Sequence, residues 1–166
     1  HRLTEPTFAH HAELPIFTHD GLHISVLLGD LLGHVSPGKI FTPLMGAELF
    51  ADAATPATLP LRADFEYGIQ VLTGRLRVDD EVLEPGTLLY LEAGRDALNL
   101  IADSGCRALL IGGEPLQEPL LMWWNFVART QAELSMACHD WNAGAKYFGE
   151  VTGYPGKRLE APLPPW

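Results

Sequence analysis

Histidines, cysteines and paired carboxylates are the first places to look for chemistry, and here most of them fall at spacings that defeat it. His19 and His23 have the separation of a metal-binding pair on one helix face, but Asp20-Gly21 between them writes a turn, so the helical geometry fails. His10 and His11 lie in an extended stretch where neighbouring side chains point to opposite sides, and they read as a solvated pair. Asp79 and Asp80 read as a hairpin tip facing water, because acid and base carboxylates must oppose one another across a pocket. Residues 33–39, GHVSPGK, carry the glycine and lysine spacing of a phosphate-binding loop. Ile40 then stands where a hydroxyl should reach Mg²⁺, Pro43 follows, and no helical period begins. That segment is expected to be a surface loop between strands, and nucleotide binding is set aside.

The two cysteines, Cys106 and Cys138, form no CxxC or CxxH pair, which argues against a thiolate zinc site and for a reduced, cytoplasmic chain. Cys106 falls on the core face of a strand. Cys138 falls on the apolar face of a helix, with His139 turned to another side, and no serine sits in a GxSxG elbow.

The elements that would have to position any site are mostly strands. Residues 59–113, and within them 65–94 (FEYGIQVLTGRLRVDDEVLEPGTLLYLEAG), read as strand, Gly, strand, acidic turn, strand, Pro-Gly, strand. This is the pattern of a small antiparallel β-barrel with an apolar interior. Tyr67, Ile69 and Val71 should face that interior, with Glu66, Gly68 and Gln70 outward. Upstream, Leu22, Ile24, Val26 and Leu28 mark a strand that turns His23 outward. Further strands are expected at 47–50, 57–61, 88–91, 98–102 and 107–111, with residues 52–56 forming a turn. One helix is written plainly: Thr130 and Glu133 form a capping box, Leu134, Ala137, Cys138 and Trp141 make an apolar stripe, and Gly144 stops it. It must pack on the barrel wall or on a neighbouring domain. Residues 147–166, ending APLPPW, should lie as an extended tail anchored by aromatics. The expected division is an arm or linker over 1–15, a β-barrel over 16–127, and helix plus tail over 128–166.

Bulk properties narrow the partners. A chain of 166 residues suits one full-sized domain, and 47% hydrophobic with 19% charged residues suits a globular, turn-rich β protein. The net charge of −10 argues against a nucleic-acid backbone as partner. No apolar run or leader supports membrane insertion or secretion. Opening on His1, the chain reads as a fragment or a processed chain with sequence expected upstream.

Several stretches in order, PTFAHHAELP, the strand pair EYGIQVLTGRLRVDDEVLEPGTLLYLEAGRD, the run GGEPLQEPLLMWWNFVARTQAE and the closing FGEVTGYPGKRLEAPLPP, resemble the C-terminal half of the pirin family, which are two-domain cupins. The resemblance implies an all-β cupin or jelly-roll antiparallel barrel with one C-terminal α-helix and an extended tail. It also implies iron held by three histidines and a glutamate in an N-terminal domain, where some members oxidise quercetin with dioxygen. In a metal-bearing cupin a His-x-His pair precedes the strand that here contains Tyr67, a carboxylate stands near Tyr67, and the last ligands fall near 97–101. The matching residues are PLRA at 60–63, Tyr67 itself and ALNLI, and residues 59–113 contain no histidine. Apolar and amide side chains cannot replace converging imidazole and carboxylate donors, so no metal and no catalytic residue is expected in this chain.

The leading functional expectation is a metal-free cupin half that stabilises or regulates an N-terminal iron-binding cupin domain, docking through its helix and tail. A second is a flavonol-sized ligand, or dioxygenase activity, at the barrel mouth, using Arg62, Tyr67, Tyr90 and Asn99, with Gln70 available but outward by alternation. A third, implied by the family's eukaryotic members, is a protein-interaction or transcription-cofactor module.

Overall fold

Alternating apolar residues need a surface to bury against, and in the computed structural model, which describes residues 8–150 and 153–166, two sheets supply it to each other. The strands are β1 (Ile16–His19), β2 (Leu22–Leu28), β3 (Asp30–Leu31), β4 (His34–Val35), β5 (Leu44–Ala51), β6 (Thr55–Pro60), β7 (Glu66–Thr73), β8 (Leu76–Val78), β9 (Glu81–Leu83), β10 (Leu88–Leu91), β11 (Ala97–Ala102) and β12 (Cys106–Gly113). Six of them form one antiparallel sheet in the order β1-β2-β5-β12-β7-β10, and four form a second in the order β6-β11-β8-β9. The expected barrel is therefore corrected: among the described residues the two hydrogen-bond ladders do not join into a closed cylinder, and side-chain packing holds the sheets together. The cupin jelly-roll architecture itself stands.

Compactness divides the described chain into two units, one of them Ala9–Pro115 and the other including Leu116–Trp166. In the first, Ile24, Leu59, Ile69, Leu98 and Leu110 are fully buried, each contributing roughly 1.5–3 kcal/mol of hydrophobic stabilisation. Tyr67, Ile69 and Val71 face inward as the alternation requires, and so do Cys106, Ala108 and Leu110. Leu28 does not. A register shift between Val26 and Leu28 inserts Leu27 as a bulge and pairs Leu28 with Gly46, which turns Leu28 to the outer face. Residues 1–7 of the expected arm lie outside the described residues, and 8–15 form no strand or helix. The loop expected at 33–39 contains β4, which pairs with β3, and the turn expected at 52–56 is shorter because Thr55 and Pro56 already belong to β6.

The turns explain why the strands stop where they do. Asp20 and Gly21 both have positive φ, 46° and 79°, which closes the β1–β2 hairpin tightly. Gly74, at φ 76°, lets the chain leave β7 against β12: a Cβ there would lie 2.8 Å from the Cys106 Cα.

In the second unit, β13 (Leu121–Trp123) and β14 (Phe126–Ala128) form a hairpin that precedes α1 (Gln131–Asn142). The Thr130 hydroxyl accepts from the Glu133 N–H, and the Glu133 carboxylate accepts from the Arg129 N–H, a capping box shifted by one donor. Leu134 and Cys138 are fully buried, Ala137 and Trp141 partly. Gly144 with φ 73° follows the cap. Trp124, Phe126, Trp141 and Phe148 pack edge to face with centroids 5.3–6.3 Å apart. The stretch expected to be irregular contains one 3₁₀ turn, Lys146–Phe148, and the rest of the described tail is extended. That tail is pinned to its own unit: Trp141 Nε1 donates to Leu159 O (2.6 Å), Trp123 Nε1 to Pro162 O (2.8 Å), and Asn142 bonds both the carbonyl and the amide of Ala161 (3.0 and 2.8 Å).

Two outcomes follow. Gly74→Ala places a methyl group against Cys106 at a left-handed φ and should lower unfolding free energy by about 2–4 kcal/mol, read from the urea midpoint. Asn142→Ala removes both bonds to Ala161, worth about 1–3 kcal/mol together, and should speed limited proteolysis of the last fifteen or so residues while leaving β-sheet circular dichroism unchanged.

Candidate functional site

The place to test for a site is the interior end of β7. Tyr67 is 3% exposed, and its hydroxyl accepts the Arg62 N–H at 2.9 Å. Opposite it in β12 stands Gly112, where an added Cβ would come within 2.3 Å of the tyrosine ring, so the absence of a side chain is what admits the ring. Burial pushes the Tyr67 phenol up, with the Arg62 amide pulling the other way. Arg62 itself turns outward. Its guanidinium donates to both oxygens of Asp64 (3.0 and 2.6 Å) and lies 4.1 Å from the Phe65 ring centroid. That hydrogen bond raises the Arg62 pKa and lowers that of Asp64.

The positions corresponding to a cupin metal site offer no converging donors. Pro60, Arg62 and Ala63 point outward, and Leu61 packs against the core. In β11, Leu98 and Leu100 face inward, whereas Asn99 faces out and accepts the Thr58 hydroxyl at 3.0 Å. A phenol committed to a backbone amide among leucines does not make an iron site, and the residues present do not fit that ion. Among the described residues no three His, Cys, Asp or Glu side chains gather in a way that could hold a metal.

The four polar residues considered for a ligand pocket are not brought together. Arg62 borders a cavity of about 280 Å³ with Asp30, Phe41, Pro43 and Phe65. Asn99 borders an open groove of about 460 Å³ with Asp20, Thr58, Arg77 and Asp79 on the four-stranded sheet. Tyr90 stands on the outer face of the six-stranded sheet, its hydroxyl donating to Glu66 at 2.7 Å, a bond that raises its pKa. Tyr67 fills the interior, and Gln70 faces outward beside Leu88 and Leu109. Only Arg62 and Tyr67 touch.

The other candidates have structural partners. His23 bonds Asp52 at 2.8 Å, His19 bonds Thr58 O at 3.1 Å, and His34 stacks on Phe17 with centroids 3.9 Å apart. Asp79 sits at the hairpin tip and accepts Arg95 at 2.7 Å. Both cysteines are free thiols, buried and pushed up in pKa by desolvation, which makes them poor nucleophiles. Sequence reasoning missed the Arg107–Glu48 ion pair beside Phe50 on the outer sheet face, although the outward parity of position 107 signals it. It also missed a groove of about 500 Å³ in the second unit, bordered by Leu120, Phe126, Met136 and Phe148. No helix among the described residues is long and apolar enough to cross a membrane.

The sequence profile described as the pirin C-terminal cupin domain matches residues 47–147. A Pseudomonas aeruginosa protein named as a candidate quercetin 2,3-dioxygenase is 40% identical over 161 residues, covering 97% of this chain and 51% of that protein. A pirin-like protein of Caulobacter vibrioides is 30% identical over 147 residues, covering 84% of this chain and 49% of that protein. The crystal structure of a quercetin 2,3-dioxygenase from Acinetobacter baumannii superposes with a TM-score of 0.88 at 41% identity, over 96% of this chain and 54% of that one. The chain thus spans about half the length of the curated relatives it matches. Two apposed sheets, a profile covering more than half the sequence and a superposition extending over nearly all of it place this chain in the pirin family, as the C-terminal cupin half of such proteins.

Proposed function

We propose that this chain works as a metal-free cupin half, supporting an N-terminal iron-binding cupin domain in which the family's dioxygenase chemistry resides. The observation that carries this reading is Tyr67: at the position of a cupin carboxylate ligand, a phenol is buried against Gly112 and tied to the Arg62 amide. The desolvation that an ion would meet among Leu59, Leu98 and Leu100 is not offset by any ligand. Substrate chemistry, if it follows the relatives' names, is oxidation of a quercetin-like flavonol on the other half. A cytoplasmic setting suits two free, buried thiols.

Incubation with ferrous iron under anaerobic conditions, followed by desalting and elemental analysis, should leave far less than one iron per chain. Quercetin consumption by this chain alone should stay at the buffer rate and appear once a histidine-bearing N-terminal cupin half is joined to it; stoichiometric iron or turnover by the chain alone overturns the reading. Gly112→Ala forces the Tyr67 ring to move and should cost about 1–3 kcal/mol, seen as a lower melting temperature, whereas Tyr67→Phe loses one hydrogen bond and about 0.5–1.5 kcal/mol.

A further inference from the structure

An antiparallel sheet with one solvated face carries polar residues on that face. The six-stranded sheet breaks this rule along two adjacent rows. One runs Leu28, Gly46, Ile111, Gly68, Tyr90, each residue opposite the next across four strand pairs. The next runs Ile16, Ser25, Glu48, Leu109, Gln70, Leu88. Ile111, Leu88 and Tyr90 are 52%, 57% and 58% exposed, and Ile16 and Leu28 are exposed as well.

The patch is made by backbone features as much as by composition. The bulge at Leu27 turns Leu28 away from the core and onto the row. At Gly68 a Cβ would lie 3.2 Å from Leu88 and 3.4 Å from Ile111, so those two side chains lean over a bare backbone and level the surface. Around the patch stands a polar rim: the Glu48–Arg107 pair, His23 with Asp52, and Glu66 holding the Tyr90 hydroxyl. An apolar centre with a paired polar rim is the anatomy of a protein interface.

We infer that this outer face of β2, β5, β12, β7 and β10 is the surface on which the N-terminal half of a two-part pirin packs its own sheet. The inference rests on the functional reading above. Two observations favour that occupant over others. The matched relatives are about twice as long as this chain, and the profile that matches is that of a C-terminal domain. The arm also reaches this sheet: Pro15 O accepts the Val26 N–H at 2.9 Å where the arm runs into β1, the edge strand beside β2. A domain joined through the arm is therefore delivered to the sheet that carries the patch. Face-to-face packing of two twisted sheets buries such rows well.

The test uses this chain alone and the same chain joined behind the N-terminal half of the 40%-identical Pseudomonas aeruginosa relative. Leu88→Cys and Ile111→Cys are introduced singly, with Val82→Cys on β9 of the other sheet as control, and maleimide labelling rates are measured. The native thiols are buried and label slowly. We expect labelling at positions 88 and 111 to slow at least tenfold in the two-part protein, with position 82 unchanged. In parallel, Ile111→Asp should lower the melting temperature of the two-part protein more than that of the chain alone. Protection of Met136→Cys in α1 instead of the stripe overturns the assignment of this face and leaves the functional reading standing. Independent unfolding of the two halves, with no position protected, overturns both. Concentration-dependent protection in the chain alone identifies a second copy as the occupant and overturns the proposal.

Discussion

Strand β7 is hydrogen-bonded on both sides, to β12 and to β10, so its inward side chains must share the space between the two sheets. Everything at the centre of the first unit follows from what fits there. Ile69 and Val71 fill it as ordinary hydrophobes, and Tyr67 fits only because Gly112 faces it. Its hydroxyl is the one polar atom that this strand sends inward, and it reaches the Arg62 amide at the mouth. A buried hydroxyl left without that partner would cost about 1–3 kcal/mol. The interior is thus specified by a pair of complementary shapes and one tethering bond, an arrangement that leaves no room for a coordination sphere.

How much of this was legible in the residues depended on the kind of interaction. Period-two alternation is local, and it located β2, β7 and β12 and turned His23 outward. The capping box at Thr130 and Glu133 is also local and located α1. What failed was decided by pairing across the sheet. Leu28 has the parity of a core residue, but the bulge that reverses it depends on how β2 registers against β5. Sandwich and closed barrel share one alternation pattern and differ only in which edges bond. The β13–β14 hairpin escaped because Trp124 takes a φ of 51° at its turn, where a glycine or asparagine would have advertised it. Arg62, Tyr90 and Asn99 are polar and close in sequence to β7 or β11, yet they leave the fold on three different surfaces. Proximity along the chain says nothing of which sheet a residue joins or which way it points.

The second unit is held by a different chemistry. Its aromatic cluster supplies apolar area through edge-to-face contacts, and its polar edges reach outward to main-chain carbonyls. A proline-rich tail has few N–H groups to satisfy and many carbonyls to offer. Trp123, Trp141 and Asn142 provide the matching donors, so the tail can lie on α1 without forming a strand or a helix.

That pattern of donors has an evolutionary consequence. Docking through carbonyls reads the path of the main chain rather than the identity of its side chains. Exposed tail positions such as Lys157 and Leu163 are therefore free to drift between descendants. The two indoles and the amide that grip the backbone are not, and the memory of how this tail folds is stored in the residues it lies on.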